Sequence, residues 1–101
     1  MSSRRAKFKP GMLVWSRYTV AFATTNGQFS YHNQVVLKQG SPVLILEYPK
    51  KKDFDADWKS TTWYNRSLID KSIMSGLICL FEGQKIFLFE KDLLFRQPEQ
   101  L

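Results

Sequence analysis

The sequence has little of what a disulfide-bonded, zinc-binding or membrane-spanning protein requires. Its 101 residues include one cysteine, Cys79, and one histidine, His32. One cysteine cannot form an intrachain disulfide, which suits a reducing compartment, and the two residues together cannot complete a zinc site. No apolar run approaches the roughly 18 residues of a spanning helix, and residues 1–15 lack the apolar core of a signal peptide. We therefore expect no membrane partner and an intracellular protein, or one built into a particle that assembles inside a cell.

Three aspartates alternate in the pattern that opens a calcium-binding loop. They are Asp53, Asp55 and Asp57. An EF-hand loop also needs glycine at its sixth position and glutamate at its twelfth, which Trp58 and Tyr64 occupy here. The lysines just before this segment would also repel a divalent cation. We therefore expect a solvated loop whose acids offset its lysines.

Two further catalytic patterns are incomplete. Residues 57–59, Asp-Trp-Lys, are similar to the end of a metal-dependent nuclease motif, but Glu47 is the only candidate for its second acid. Cys79 lies in the middle of an apolar run, so we expect a core thiol and not a nucleophile that His32 activates. No glycine-rich phosphate-binding loop is present. The sequence thus predicts no enzyme, no metal site and no cofactor.

Positive charge and aromatic rings are what the chain has in excess. Fifteen lysines and arginines stand against nine acids, for a net charge of +6, and aromatic residues make up 15% of the chain. A positive field of this size favours nucleic acid or an acidic protein surface as the partner. A domain this small cannot bury all its rings, and exposed rings often mark contact sites. A basic surface without a polyanion partner is the alternative interpretation.

Turn signals divide the chain into short apolar segments typical of a β domain. Asn26 and Gly27 predict one hairpin tip, and the residues around Gly83 predict a second. Residues 43–46 and 77–80 are predicted to form the core. We expect a mostly β domain of five to seven short strands, at least one third strand, with no helix longer than about three turns.

Three other segments carry specific expectations. In the first strand, residues 12–18, Leu13 and Trp15 share one face. Residues 50–60 are predicted to form a long exposed loop that is dense in charge. Residues 65–75 fit either a short helix or an irregular strand.

The opening of the first strand resembles a known family. Residues 8–14, Phe-Lys-Pro-Gly-Met-Leu-Val, resemble the F-x-x-G-x-L-V opening of small SH3-like β-barrels. Together with the strand at 43–48, the long variable loop, the hairpin at Gly83 and the closing Leu93-Leu94, the chain is similar to small SH3-like proteins encoded by tailed bacteriophages. The resemblance implies an SH3-like barrel over residues 10–97, between a basic arm at 1–9 and a polar tail at 98–101. It also implies a binding module without catalytic residues, in the host cytoplasm or in the virion.

Basic and aromatic residues are interleaved in the arm, the first strand and the charged loop. Proteins that bind single strands combine a positive groove with stacking rings, so we expect contact with nucleic acid or a nucleoprotein complex. The alternative is a protein-interaction module, either a virion structural or assembly subunit or an inhibitor that docks on a host protein. If the partner is a nucleic acid, we expect the Trp58 ring to stack on a base, unless that ring belongs to the core. The predicted contact residues are Arg4, Arg5, Lys7, Lys9, Arg17, Lys50, Lys51, Lys52, Trp58, Lys59 and Arg66.

Overall fold

Nine strands and two short helices make up most of the structure, a computed structural model that describes residues 7–63 and 66–98. The strands are β1 (Leu13–Ser16), β2 (Thr19–Thr25), β3 (Gln28–Leu37), β4 (Pro42–Glu47), β5 (Thr62–Trp63), β6 (Arg66–Ser67), β7 (Gly76–Phe81), β8 (Gln84–Phe89) and β9 (Leu93–Leu94). The helices are α1 (Ala56–Ser60) and α2 (Leu68–Ser75), and single 3₁₀ turns lie at Lys51–Asp53 and Glu90–Asp92. Half of the described residues are in strands, and α2, the longer helix, has 8 residues. The prediction of a mostly β domain with short helices is confirmed for this part of the chain.

Seven strands form one antiparallel sheet in the order β3-β2-β8-β7-β4-β1-β9, and β5 and β6 pair separately. The edges of the large sheet are β3 and β9, and within the described ranges no pairing joins them. The sheet is therefore open, whereas in a closed barrel the first and last strands would pair with each other.

Both predicted hairpin turns are present. Two residues, Asn26 (φ 55) and Gly27 (φ 83), connect β2 to β3, and Glu82 (φ 49) and Gly83 (φ 82) connect β7 to β8. Positive φ at both central residues matches the twist of the flanking strands, which is why Asn-Gly is so strong a hairpin signal. Each turn fixes the register of the strands that it joins.

A wide irregularity in β3 turns its two halves toward different faces of the sheet. Phe22 pairs with Gln34, but Thr24, two residues further along β2, pairs with Phe29, five residues back along β3. The step is thus three residues longer in β3 than in β2. Because side chains alternate between faces with a period of two, an odd difference moves the side chains of β3 to the opposite face across the irregularity. Phe29 therefore packs on one face of the sheet and Leu37 on the other.

One face of the sheet encloses what we call the inner cluster. Its buried members are Phe8, Val14, Ala21, Leu37, Val43, Ile45, Leu77, Cys79, Ile86, Leu88 and Leu93. Phe8 is only 6% exposed and its ring stacks on Phe95 at 4.4 Å between centroids. Residue 8, predicted to belong to the arm, thus packs in the core together with the strands. The core prediction for 43–46 and 77–80 is confirmed at five positions, whereas Leu44, Leu46 and Leu80 are half-buried.

The opposite face is covered over part of its width by α1 and α2, which gives a second core, the helix-covered cluster. Its buried members are Phe29, Phe54, Trp58, Ile69, Ile78 and Phe87. The sequence of residues 65–75 fitted a helix or a strand; in its described part, Arg66–Ser67 form β6 and Leu68–Ser75 form α2. Ser67 caps α2, because its hydroxyl accepts from the Asp70 amide at 3.4 Å and donates to the Asp70 carboxylate at 2.8 Å. Gly76 follows, where a Cβ would overlap the Phe87 ring, so the helix enters β7 at a position that only glycine fits.

The prediction of a long exposed loop at 50–60 is wrong. A 3₁₀ turn and α1 occupy this segment, and Phe54 and Trp58 are both 0% exposed. Asp55 caps α1, because its carboxylate accepts from the Trp58 amide at 2.8 Å. The two rings pack on the sheet; of the charged side chains between them, Asp57 stays exposed, and the half-buried Asp55 carboxylate is compensated by its hydrogen bond to the Trp58 amide.

Candidate nucleic-acid interface

The structure joins two of the predicted basic segments at one place. The Tyr48 hydroxyl donates to the Phe8 carbonyl oxygen at 2.9 Å, across 40 residues of sequence. Exposed lysines flank Phe8, and the next run of exposed lysines begins two residues after Tyr48. We call this set the lysine corner; its members are Lys7, Lys9, Lys50, Lys51 and Lys52.

The positive charge of the lysine corner is not neutralised from within. In residues 7–63 and 66–98, no carboxylate forms an ion pair with any of its five ammonium groups. The nearest acid in sequence, Asp53, accepts instead from the Lys50 backbone amide at 2.8 Å. Gln28 holds the backbone from the other side, because its amide donates to the Lys52 carbonyl oxygen at 3.0 Å. The 3₁₀ turn is thus fixed by its backbone while its lysine side chains stay in solvent.

The other predicted cations lie elsewhere. Arg17 follows β1, and its Nε donates to the Lys91 carbonyl oxygen at 3.2 Å, which places it beside the second 3₁₀ turn. Lys59 is half-buried on α1. Arg4 and Arg5 lie outside the described residues, and so does the side chain of Arg66.

Trp58 cannot serve as a stacking platform in this conformation, which corrects its place among the contact residues. Its side chain is fully buried, and its ring lies edge-on to Phe87 at 5.3 Å. The indole Nε1 donates to Ser72 Oγ at 2.9 Å, and that hydroxyl donates to the Leu68 carbonyl oxygen at 2.7 Å. The ring and its one polar atom are therefore both satisfied inside the protein.

The three aspartates that opened a calcium-like pattern each have a structural partner. Asp53 and Asp55 accept from backbone amides, as described above, and Asp57 lies 3.6 Å from His32 in an exposed pair with side chains about two thirds accessible (64% for His32 and 65% for Asp57). The three carboxylates are thus divided among a turn, a helix cap and a surface pair.

The single thiol belongs to the core, as the sequence predicts. Cys79 is fully buried in the inner cluster, and burial raises the pKa of its thiol to about 12. His32 lies on β3 and pairs with Asp57, so the structure does not bring it to the thiol. A thiol with this pKa is protonated at neutral pH and is a poor nucleophile.

A second surface feature lies on the outer face of the sheet, beyond the reach of the two helices. Strand pairing aligns Leu13 with Leu44 and Leu44 with Leu80, and it aligns Trp15 with both Pro42 and Leu94. Leu13 is 55% exposed, Pro42 is exposed and the other four are half-buried. We call this set the strand patch; its members are Leu13, Trp15, Pro42, Leu44, Leu80 and Leu94. The shared face of Leu13 and Trp15 was predicted, but its continuation across four strands follows only from the pairing.

Comparison with known proteins adds no relative. No family model, curated protein or solved structure matches this chain. In the described ranges, no group of three or more His, Cys, Asp or Glu residues is placed to hold a metal ion. No helix there is long and apolar enough to cross a membrane.

Proposed function

We propose that this chain is a non-catalytic binding module that contacts nucleic acid, free or within a nucleoprotein complex, through the lysine corner. The observation that carries the proposal is the hydrogen bond from Tyr48 to Phe8, which joins two exposed lysine segments. Five cations that no described carboxylate pairs with are available to contact phosphates. Each phosphate contact releases counterions from the nucleic acid, and that release drives association.

The proposal includes the fold that the opening residues resemble, a small SH3-like module of tailed bacteriophages that acts in the host cytoplasm or in the virion. Three features support it. The domain is an antiparallel sheet with tight hairpins. The opening Phe8 packs into the inner cluster. The buried strand β4 pairs with β1, which carries the opening motif.

The test is the salt dependence of binding to a labelled oligothymidylate and to a labelled duplex of the same length. In the variant Lys51→Ala/Lys52→Ala, the slope of log K against log salt should fall by about 1.5 to 2, because two phosphate contacts are lost. The melting temperature should hardly change, because exposed lysines contribute little to stability. Lys71→Ala/Lys85→Ala is the control, since it removes the same charge from α2 and β8.

Two results would overturn the proposal. One is the absence of binding to either probe at low salt. The other is an equal loss in the two double variants, which would show that affinity depends on net charge and not on the lysine corner. A fall in slope confined to Lys51→Ala/Lys52→Ala supports it.

The strand patch favours a second candidate function, a protein-interaction module that acts as a virion structural or assembly subunit or as an inhibitor docked on a host protein. Six apolar side chains from four adjacent strands form a continuous apolar surface. Contiguous apolar patches on soluble proteins often mark protein contacts.

Salt distinguishes the two candidates. Binding to a polyanion weakens as salt rises, whereas apolar contact persists or strengthens. A protein complex that persists at high salt and is lost in Leu13→Glu, but not in Lys51→Ala/Lys52→Ala, would establish the second function. The reverse pattern would establish the first.

A further inference from the structure

The end of the sheet where β1 passes into β2 brings together three segments that are distant in sequence. The Arg17 amide donates to the Asp92 carbonyl oxygen at 2.8 Å, and Arg17 Nε donates to the Lys91 carbonyl oxygen at 3.2 Å. The hydroxyl of Ser16 donates to the Lys38 carbonyl oxygen at 3.1 Å. We call the exposed side chains gathered here the Tyr18 end; its members are Arg17, Tyr18, Lys38 and Lys91.

The aromatic ring of this set is unusually open to solvent. Tyr18 is 71% exposed, more than any other large hydrophobic side chain in the described residues. Thr19 pairs with Leu37, so Tyr18 and Lys38 occupy the adjoining positions where the β2–β3 ladder ends. A single exposed ring is common on protein surfaces. Tyr18 differs because hydrogen bonds join the two residues before it, Ser16 and Arg17, to the backbones of Lys38 and Lys91, which are cations from two other segments.

The acids near the Tyr18 end are already engaged. Asp92 is 16% exposed, accepts from the Thr19 hydroxyl at 3.0 Å and pairs with the Lys91 ammonium at 3.3 Å. Glu90 lines a depression together with Lys71, Ser75 and Lys91. The cluster therefore keeps an excess of positive charge.

The hydrogen bond to Lys91 occupies only one of the N–H donors of the Arg17 guanidinium. Nε is directed at the Lys91 carbonyl oxygen, and that contact orients the planar group. The terminal amino groups carry the remaining donors, which are those that match phosphate oxygens. The Arg17 side chain is thus fixed in place and still able to bind an anion.

We infer that the Tyr18 end binds an unpaired base of single-stranded nucleic acid, with the Tyr18 ring stacked on the base and Arg17 and Lys38 on the flanking phosphates. The inference rests on the proposed function and names its substrate class. A base inside a duplex has both faces covered by its neighbours, so a stacking ring selects single strands. The lysines of the lysine corner contact phosphates, which single strands and duplexes both present.

The experiment measures binding by fluorescence anisotropy with three labelled probes of equal length: oligothymidylate, an abasic strand and a duplex. Tyr18→Ala should weaken binding to oligothymidylate roughly 5- to 150-fold, the loss expected for one stacked base. Its affinity for the abasic strand and for the duplex should not change. Tyr18→Phe should keep the affinity for oligothymidylate, because stacking needs the ring and not the hydroxyl. Met74→Ala, which removes a side chain 56% exposed on α2, is the control and should change nothing.

The inference is overturned if Tyr18→Ala binds oligothymidylate as the parent chain does, or if it loses equal affinity for oligothymidylate and the abasic strand. Thermal melting of each variant shows whether it is folded at the assay temperature. If Lys51→Ala/Lys52→Ala weakens binding to all three probes while Tyr18→Ala weakens none, only the inference fails. If the parent chain binds none of the probes at low salt, the proposed function fails as well.

Discussion

The helix-covered cluster and the strand patch lie on the same face of one sheet but differ in exposure: the first is buried and the second is partly exposed to solvent. Over β7 and β8, α1 and α2 cover Ile78 and Phe87 completely, whereas over β1, β4 and β9 the described residues leave the apolar side chains partly in solvent. Trp58 comes from a segment of alternating charges and is buried, while Trp15 comes from an apolar strand and is only half-buried. Burial here depends on what packs above a position and not on the polarity of its neighbours in sequence.

This difference has a functional consequence. The helix-covered cluster takes up the aromatic rings that the charged segment contains, so the lysines of that segment act without a stacking partner of their own. Accessible rings in the described residues lie at other places, among them Trp15 on the strand patch, Tyr18 at the end of the sheet and Phe95, which is 48% exposed and stacks on Phe8. The lysines at 50–52 thus have no exposed ring from their own segment beside them, whereas at the Tyr18 end an exposed ring and cations lie together.

The largest effect that separates the two regions comes from a charge introduced into each. Ile78→Asp should prevent folding, because an unpaired buried carboxylate costs several kcal/mol, a large part of a total stability of about 5–15 kcal/mol. Leu44→Asp should fold, because Leu44 lies half-buried on the strand patch where the carboxylate can reach water. Soluble yield and a thermal melt followed by circular dichroism measure both variants. Equal yields and equal melting temperatures would contradict the assignment of Leu44 to the surface.

A smaller effect comes from truncating each tryptophan. Trp58→Ala should lower the free energy of unfolding by about 3–5 kcal/mol, as for other large core rings. Trp15→Ala should cost less than half as much, since part of that ring is already in water. Trp58→Phe, which loses the hydrogen bond to Ser72 but keeps an aromatic ring in the core, should cost less than Trp58→Ala, at about 1–2 kcal/mol. Urea unfolding measures all three, and a loss for Trp15→Ala as large as that for Trp58→Ala would show that the strand patch is buried in solution.

Elements of the fold with a local signal were predictable from the sequence. The turns at Asn26-Gly27 and Glu82-Gly83 and the shared face of Leu13 and Trp15 depend on neighbouring residues, and the structure has them. Helix α1 was missed although its signal is short range: Asp55 is a good cap, and Phe54 and Trp58 are spaced by four residues. The density of charged residues in that segment favours an exposed loop and hides the helical spacing of the two rings.

Elements of the site that depend on pairing across the sheet had no local signal. Phe8 and Tyr48 meet only because the chain beside β1 runs along β4, where the Gly11 amide donates to the Ile45 carbonyl oxygen at 2.7 Å. The Lys38 carbonyl oxygen accepts from the Ser16 hydroxyl and the Lys91 carbonyl oxygen accepts from Arg17 Nε, which brings three separate segments together. Such contacts follow from the pairing register of strands that are distant in the chain, and local patterns in the sequence do not reveal that register.

The smallest effect tests whether the strand patch is a continuous apolar surface in solution. Leu13→Glu and Met74→Glu add the same charge at side chains of nearly equal exposure, 55% and 56%, but Leu13 lies among five other apolar side chains and Met74 lies on α2. Both should change the free energy of unfolding by no more than about 0.5 kcal/mol, as surface substitutions usually do. Retention on a hydrophobic-interaction column should fall more for Leu13→Glu, because a charge in the middle of a contiguous patch disrupts the apolar contact of its neighbours as well as its own. Equal retention of the two variants would mean that the patch is not accessible as one surface, and the case for a protein partner at β1 would lose its structural support.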